Sequence, residues 1–321
     1  MSVFTKLERS ELAAFLDAYT VGDLQHFQGI RAGIENTNYF VNTSGGRWVL
    51  TLFETLHVSE LPFCLYLMDH LDAHGIPSPA PVADRHGQIL LVLKGKPAAL
   101  VQRLPGRSAL EPNPNQCAAM GEMLARLHLA GQSYPRQRPN SRGPQWWHRM
   151  AEVLLPQLDP AGRRLLTEEL NHQARLRDLD LPRGVIHGDL FRDNVLFQGD
   201  RISGVIDFYY ACNDALLFDL AIAVNDWCTV DDGALDPQRV EAAVGAYARE
   251  RAFSAVEREI WSTLLRAAAL RFWLSRLHDL YFPRPGELTH TKDPDVFRRI
   301  LARQIADPAR LPQSDGIVAA G

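Results

Sequence analysis

Between Gly184 and Asp207 three short apolar runs, Val185-Ile186, Val195-Leu196-Phe197 and Gly204-Val205-Ile206, interrupt a region whose texture is otherwise helical. Runs this short, bounded by turn residues, suit strands, and Gly199-Asp200 between the last two marks a hairpin turn. The loop between the first run and the hairpin is His187-Gly188-Asp189-Leu190-Phe191-Arg192-Asp193-Asn194, and the hairpin ends on Ile206-Asp207-Phe208. A strand, an irregular loop and a hairpin embedded among helices display Asp189 and Asn194 on one loop. Asp207, at the end of the adjacent hairpin, is expected at the same cleft.

The flanking chain supplies the helices. Apolar residues recur at helical spacing over Asn115 to Ala130, Trp146 to Leu155, Pro160 to Arg177, Asp236 to Arg251 and Ser254 to Tyr281. Ahead of Leu104-Pro105-Gly106, a plausible hinge, the texture differs. An amphipathic helix over residues 8 to 20 (Leu12, Phe15, Leu16, Tyr19) precedes runs rich in β-branched and aromatic residues from Leu24 to Phe53, with Ser44-Gly45-Gly46 as a turn. A helix from Ser59 to His74 follows, stopped at Gly75-Ile76-Pro77, and then two more apolar runs, Ile89 to Leu93 and Ala98 to Gln102. The expectation is an α+β chain in two lobes: a small antiparallel-sheet lobe over 1–103 and a larger, mainly helical lobe over 104–321 that carries the loop and the hairpin.

A length of 321 residues allows a sizeable core, and 46% hydrophobic with 22% charged residues is ordinary for a folded protein. Acids and bases are mixed along the chain to a formal net charge of −4, which disfavours nucleic acid and polybasic membrane attachment. Cys64, Cys117, Cys212 and Cys228 are scattered with no C-x-x-C pair, so buried free thiols in a reducing cytosol are expected in place of a disulfide framework or zinc site. Lys6, Glu8, Arg9 and Glu11 break any apolar run at the start, so neither a secretory signal nor a membrane span is read there, and the expected location is cytoplasmic.

Phosphoryl transfer needs a carboxylate to orient or deprotonate an attacking hydroxyl, and oxygen ligands for the Mg²⁺ that neutralises a triphosphate. Asp189, Asn194 and Asp207 supply that set. Asp and Asn are also common turn residues, but the pattern and its apolar flanks agree with one another. Beside Val185-Ile186, His187 reads as a hydrogen-bonded core residue, since no second His or Cys stands at ligand spacing.

On these residues the chain resembles the aminoglycoside phosphotransferase and choline kinase superfamily, relatives of the protein kinases, whose catalytic loop reads H-G-D-x-x-x-x-N and whose metal segment reads I-D-F or I-D-W. The resemblance implies a protein-kinase-like fold and ATP with Mg²⁺ as cofactors. It makes Asp189 the catalytic base, Asn194 and Asp207 metal ligands, His187 a prop of the loop and Asp219 its brace; a helix N-cap is the plainer reading of Asp219. It also places Gly33-Ile34-Glu35-Asn36-Thr37-Asn38-Tyr39 at the phosphate-covering hairpin, so Gly33, Asn36, Thr37 and Asn38, with Gln102, are candidate ATP contacts. One departure is plain: Thr51 stands where the third strand usually carries a phosphate-pairing Lys, leaving Arg47 or Arg31 as substitutes and Glu60 as a helix Glu of doubtful partner.

Trp48 to Glu54, Ile206 to Ala211, Arg271 to Leu277 and Thr289 to Pro294 are similar to the phosphotransferase-like bacterial homoserine kinases. That likeness implies L-homoserine and ATP as the small-molecule partners and O-phospho-L-homoserine as product. The zwitterion needs a cation for its carboxylate and an acceptor for its ammonium. Among Arg266, Arg271 and Arg276, Arg271 is the candidate clamp, against structural ion pairs. Asp214 or Asp226 would take the ammonium, and Trp146-Trp147 either walls the pocket or packs the core. Kinases of aminoglycosides, choline or related sugars, and a non-catalytic nucleotide-binding scaffold, are the alternatives.

Overall fold

The computed structural model describes residues 4–30, 36–174, 179–283 and 292–311. The described residues gather into two compact units: 4–105 with 204–209, and 106–203 with 210–283 and 292–311. The segment that carries Asp207 therefore packs with the first unit, although the sequence reading grouped the whole hairpin with the helical lobe.

In the first unit, α1 (Arg9–Leu16) starts on a capping box in which Glu8 and Glu11 satisfy each other's backbone amides. A five-stranded antiparallel sheet follows, ordered β1-β2-β3-β5-β4, from β1 (Leu24–Gly29), β2 (Thr37–Thr43), β3 (Gly46–Leu52), β4 (Leu91–Leu93) and β5 (Lys96–Gln102). Alternation along β2 buries Thr37, Tyr39, Val41 and Thr43. Tyr39 and Val41, with Leu50, Leu52 and Leu100, meet Leu12 and Leu16 of α1 in one hydrophobic cluster. Helix α2 (Leu61–Ala73) opens with Pro62 in its first turn, where the missing N–H costs nothing, and buries Leu61, Leu65, Met68 and Leu71. Residues 204–209 are tied to this unit by several bonds. Val205 N donates to Pro77 O at 2.8 Å, and the Tyr209 ring stands edge-on to Phe53 with centroids 5.1 Å apart.

The second unit holds α3 (Pro114–Gly131), α4 (Pro144–Leu154), α5 (Pro160–Gln173), α6 (Leu216–Trp227), α7 (Pro237–Glu250), α8 (Ala255–Tyr281) and α9 (Asp295–Ala306). Side-chain caps start four of them: Asn113, Asp159, Asp236 and Ser254 each accept from a first-turn amide. Strand β7 (Arg183–Ile186) pairs antiparallel with β10 (Cys212–Ala215). A ribbon runs in the order β6 (Arg107–Ser108), β8 (Val195–Gln198), β9 (Arg201–Val205).

Two helices escape the periodicity reading. Eleven residues of α6, all but Asp226, are buried, so it has no polar face to generate a 3.6-residue rhythm. Helix α9 does carry one, Phe297, Ile300, Leu301 and Gln304 being its buried stripe, but it is short. Trp146 and Trp147 are both buried. Trp147 donates from Nε1 to Arg142 O at 2.6 Å and lies near Phe218, so core packing is its role. All four cysteines are buried thiols outside any disulfide.

Candidate active site

The loop from His187 to Asn194 leaves β7 through Gly188, whose φ of +75° lies in the left-handed region. A Cβ there would meet Tyr210 O at 2.8 Å, so glycine is required twice over, by backbone conformation and by space. His187 is fully buried and its Nδ1 accepts from Asp189 N at 3.2 Å, which bends the loop back on itself. At the far end a 3₁₀ turn over Arg192–Asn194 returns the chain to β8. Asn194 spends its NH₂ on Asp189, 2.8 Å to the carbonyl and 3.2 Å to Oδ2. That orients the amide with its carbonyl oxygen turned away from Asp189, the donor type a hard cation takes.

Helix α6 holds this loop at three points. Asp219, fully buried in its first turn, accepts from His187 N at 2.7 Å and Gly188 N at 2.8 Å. Asp226, two turns on and so on the same face, accepts from Arg192 N at 2.8 Å and Arg192 Nε at 3.1 Å. Trp227 Nε1 donates to Leu190 O at 3.0 Å. The N-cap of α6 is Ala215, so Asp219 is no cap, and its oxygens serve the loop.

Behind Asp219 runs a buried relay. His128 Nε2 lies 3.1 Å from the Asp219 carboxylate and Nδ1 2.7 Å from the Tyr247 hydroxyl. A carboxylate only accepts, so Nε2 carries the proton and Nδ1 accepts from Tyr247. Tyr247 accepts in turn from Arg251 at 3.3 Å, and Arg251 pairs with buried Glu257 at 2.7 Å. Burial alone would raise the Asp219 carboxyl. The His128 bond, the electrostatics of the nearby His128 and His187 rings and the Gly188 amide outweigh it and hold the carboxyl below its usual range. Asp226 goes the other way: burial pushes it up despite Arg192.

The three α8 arginines singled out from the sequence separate cleanly. Arg266 is a structural partner of buried Glu169, its Nε 3.0 Å from Oε2. Arg276 donates to Asp293 O at 2.9 Å and lies 4.5 Å over the Phe297 ring. Arg271, 3% exposed, is alone in reaching the loop, with Nη1 3.6 Å from Asp189 Oδ1. Its guanidinium stacks 3.9 Å from the Phe272 ring centroid, and burial lowers its pKa. Neither proposed ammonium acceptor fits that task. Asp214 is engaged by Asn140, Arg183 and the Ala215 amide, and Asp226 by Arg192.

In the first unit, Asp207 has φ +66°, a left-handed conformation that Asp tolerates better than most residues. Thr51 is 2% exposed and donates to Asn38 Oδ1 at 2.7 Å across the Thr51–Asn38 pair of the ladder. Thr37 is fully buried and its hydroxyl donates to Glu54 at 2.6 Å while accepting from the amides of Phe4 and Thr5. Asn36 Oδ1 accepts from Glu54 N at 3.4 Å. The side chains of Asn36, Thr37 and Asn38 thus bond within the first unit. Glu54 is paired with Lys96, and although burial raises its carboxyl, Lys96 and the Thr37 and Thr5 hydroxyls leave it below the usual range. Gln102, at the end of β5, is exposed, as is Arg47 at the start of β3. Gly33 and Arg31 lie outside the described residues, as do Thr289, His290 and Thr291.

Three features lay beyond the sequence reading: the Asp226 and Trp227 supports, the His128–Tyr247 relay, and Arg142 beside Tyr210. Residue type gave a clue only for Asp226, an acid near the end of a mainly apolar run.

Residues 26–253 match the phosphotransferase enzyme family, and the chain belongs to it. Solved structures share its protein-kinase-like α+β fold. An amicoumacin kinase in complex with AMP-PNP and Ca²⁺ superposes with TM-score 0.71 at 16% identity, covering 96% of each chain. A spectinomycin phosphotransferase in complex with ADP gives TM-score 0.66 at 14% identity, over 92% of this chain and 94% of that one. Among curated sequences, the homoserine kinase of Methylobacillus flagellatus is 53% identical over 95% of this chain and 96% of its own length. That of Polaromonas naphthalenivorans is 49% identical over 96% and 99%. These identities place the chain among the homoserine kinases.

Proposed function

We propose that the chain transfers the γ-phosphoryl group of ATP to the side-chain hydroxyl of L-homoserine, giving O-phospho-L-homoserine on the way to threonine. The observation that carries the reading is the loop geometry: a carboxylate, Asp189, held between Asn194 and the buried cation Arg271, on a backbone pinned by Asp219.

Asp189 takes the hydroxyl proton as the substrate oxygen bonds to phosphorus and the bond to the ADP oxygen breaks, in one in-line step without a phosphoenzyme. Asn194 and Asp207 would each supply an oxygen ligand to Mg²⁺, which when bound would neutralise charge on the triphosphate. Oxygen donors fit that ion, and two protein ligands suit a metal that arrives with phosphates and waters. Among the described residues no cluster of three or more His, Cys, Asp or Glu side chains could hold a metal. Arg271 receives the substrate carboxylate, its guanidinium fork matching the anion. His187 keeps the loop bent, and the backbone of 36–38 with Gln102 faces the nucleotide.

Among the described residues no helix is long and apolar enough to cross a membrane, and we assign the enzyme to the cytoplasm. The test is ADP release over L-homoserine, L-serine, choline and an aminoglycoside. Preference for L-homoserine is expected, and equal or better use of another acceptor would overturn the substrate assignment.

A further inference from the structure

Two guanidinium groups lie against the ring of Tyr210. Arg271 stands 5.2 Å from its centroid and Arg142, on the loop leading into α4, 5.6 Å. Arg142 Nη2 also reaches to 3.5 Å of the Tyr210 hydroxyl. Its position is built. The guanidinium rests 4.6 Å from the Trp146 ring centroid, its amide donates to Asn140 Oδ1 at 2.7 Å, and its carbonyl accepts from Trp147.

The charges around this ring do not balance. Arg271 is 3% exposed, yet its Nη1 has no hydrogen-bond acceptor, Asp189 being an ion-pair contact at 3.6 Å. Burial chiefly, and the charge of Arg142 in addition, work against its protonated form. A buried guanidinium with an unmet N–H is costly, and Asp189 has a hydroxyl to serve. Among the described residues Arg271 has Asp189, already committed to chemistry, as its ion-pair contact, and Arg142 has no carboxylate partner. A planar carboxylate with two oxygens supplies what both guanidiniums need.

We propose that Arg142 and Arg271, spaced by Tyr210, together form the receptor for the α-carboxylate of an amino-acid substrate, and that Arg142 is the determinant that separates amino acids from amino alcohols. The proposal rests on the reading of the chain as an amino-acid hydroxyl kinase. It adds a residue, Arg142, and a selectivity that the reading does not contain.

The experiment compares L-homoserine with 3-aminopropan-1-ol, the same molecule without its carboxylate, on the full chain and on Arg142→Gln and Arg142→Lys. Arg142→Gln should raise the homoserine KM by about 10- to 100-fold, the loss expected for a charge-assisted hydrogen bond, with the KM for ATP unchanged. Use of 3-aminopropan-1-ol should be unaffected, and Arg142→Lys should recover part of the loss. An unchanged homoserine KM, or equal losses on the two acceptors, would overturn the receptor. Should either variant fail to fold, binding to the unaltered protein decides. L-2-aminobutyrate should stabilise it against heat and propan-1-amine should not, whereas equal effects refute the proposal. Absence of ADP release with homoserine alongside selective binding of L-2-aminobutyrate would sink the parent reading and leave the receptor standing.

Discussion

Replacing Asp219 with Asn keeps shape and removes charge at the point where α6 grips the catalytic loop. The carboxylate takes bonds from two backbone amides and His128; an amide side chain has one acceptor oxygen, and its NH₂ must face an N–H donor. One charge-assisted bond is lost, at about 1.5–3 kcal/mol, and one buried donor is left unmet, at about 1–3 kcal/mol, so a loss near 3–5 kcal/mol is expected. In a chain of this size that is a fall in Tm of roughly 5–10 °C. Asp189 lies two residues beyond His187, and a shift of about 1 Å there should cost about 10²-fold in kcat. The pH dependence follows from the depressed carboxyl: its stabilisation is present above the unfolded value of about 3.9 and is lost as pH falls through the lower folded value. Denaturant unfolding of wild type and variant from pH 8 downward should show a constant gap that closes only below about pH 4. A variant with wild-type Tm and kcat, or a gap already closing near neutral pH, would refute the reasoning.

Asp189→Asn should reduce kcat by about 10²–10⁴-fold while leaving ATP affinity, read by calorimetry, nearly intact. Asp207→Asn tolerates the left-handed backbone and should raise the Mg²⁺ concentration needed for half-maximal rate; an unchanged Mg²⁺ requirement would remove it from the ligand set. Gly121→Ala would put a Cβ 2.0 Å from Ala243 O where α3 meets α7, and urea unfolding should show destabilisation of about 1–3 kcal/mol. L-Serine, one methylene short of the reach from carboxylate anchor to base, should lose about 10²-fold, mainly in turnover.

The catalytic loop was legible because its residue types, spacing and strand flanks are all local. The sheet was legible for the same reason, through alternation such as Tyr39 and Val41 and the Ser44–Gly46 turn. What the sequence hid is set by tertiary partners. Helix α6 is buried on nearly every side, so period gives little signal, and the partner of Asp226 is a loop amide far upstream. Thr37 and Asn38 read as phosphate contacts because small polar residues serve that role on turns, and the bonds of their side chains to Glu54 and Thr51 appear only in the fold. Arg271 could be singled out as a buried cation without an obvious mate. Arg142, in a Pro- and Arg-rich loop, carried no such mark, since only the fold brings it to Tyr210.

The grips of Asp219 and Asp226 make α6 a ruler for the loop it holds. Two helical turns span about 10.5 Å along the axis, and the four residues from Gly188 to Arg192 can stretch to only about 13–14 Å. The loop has almost no slack. Removing one residue between the grips would pull it taut, and adding one would force a bulge beside Asp189, so its length is under tighter constraint than its composition. The turn at Gly199, where an added side chain would meet nothing within 4 Å, carries no such limit. Insertions and deletions in this family should therefore collect at that turn and spare the stretch between the two aspartate grips.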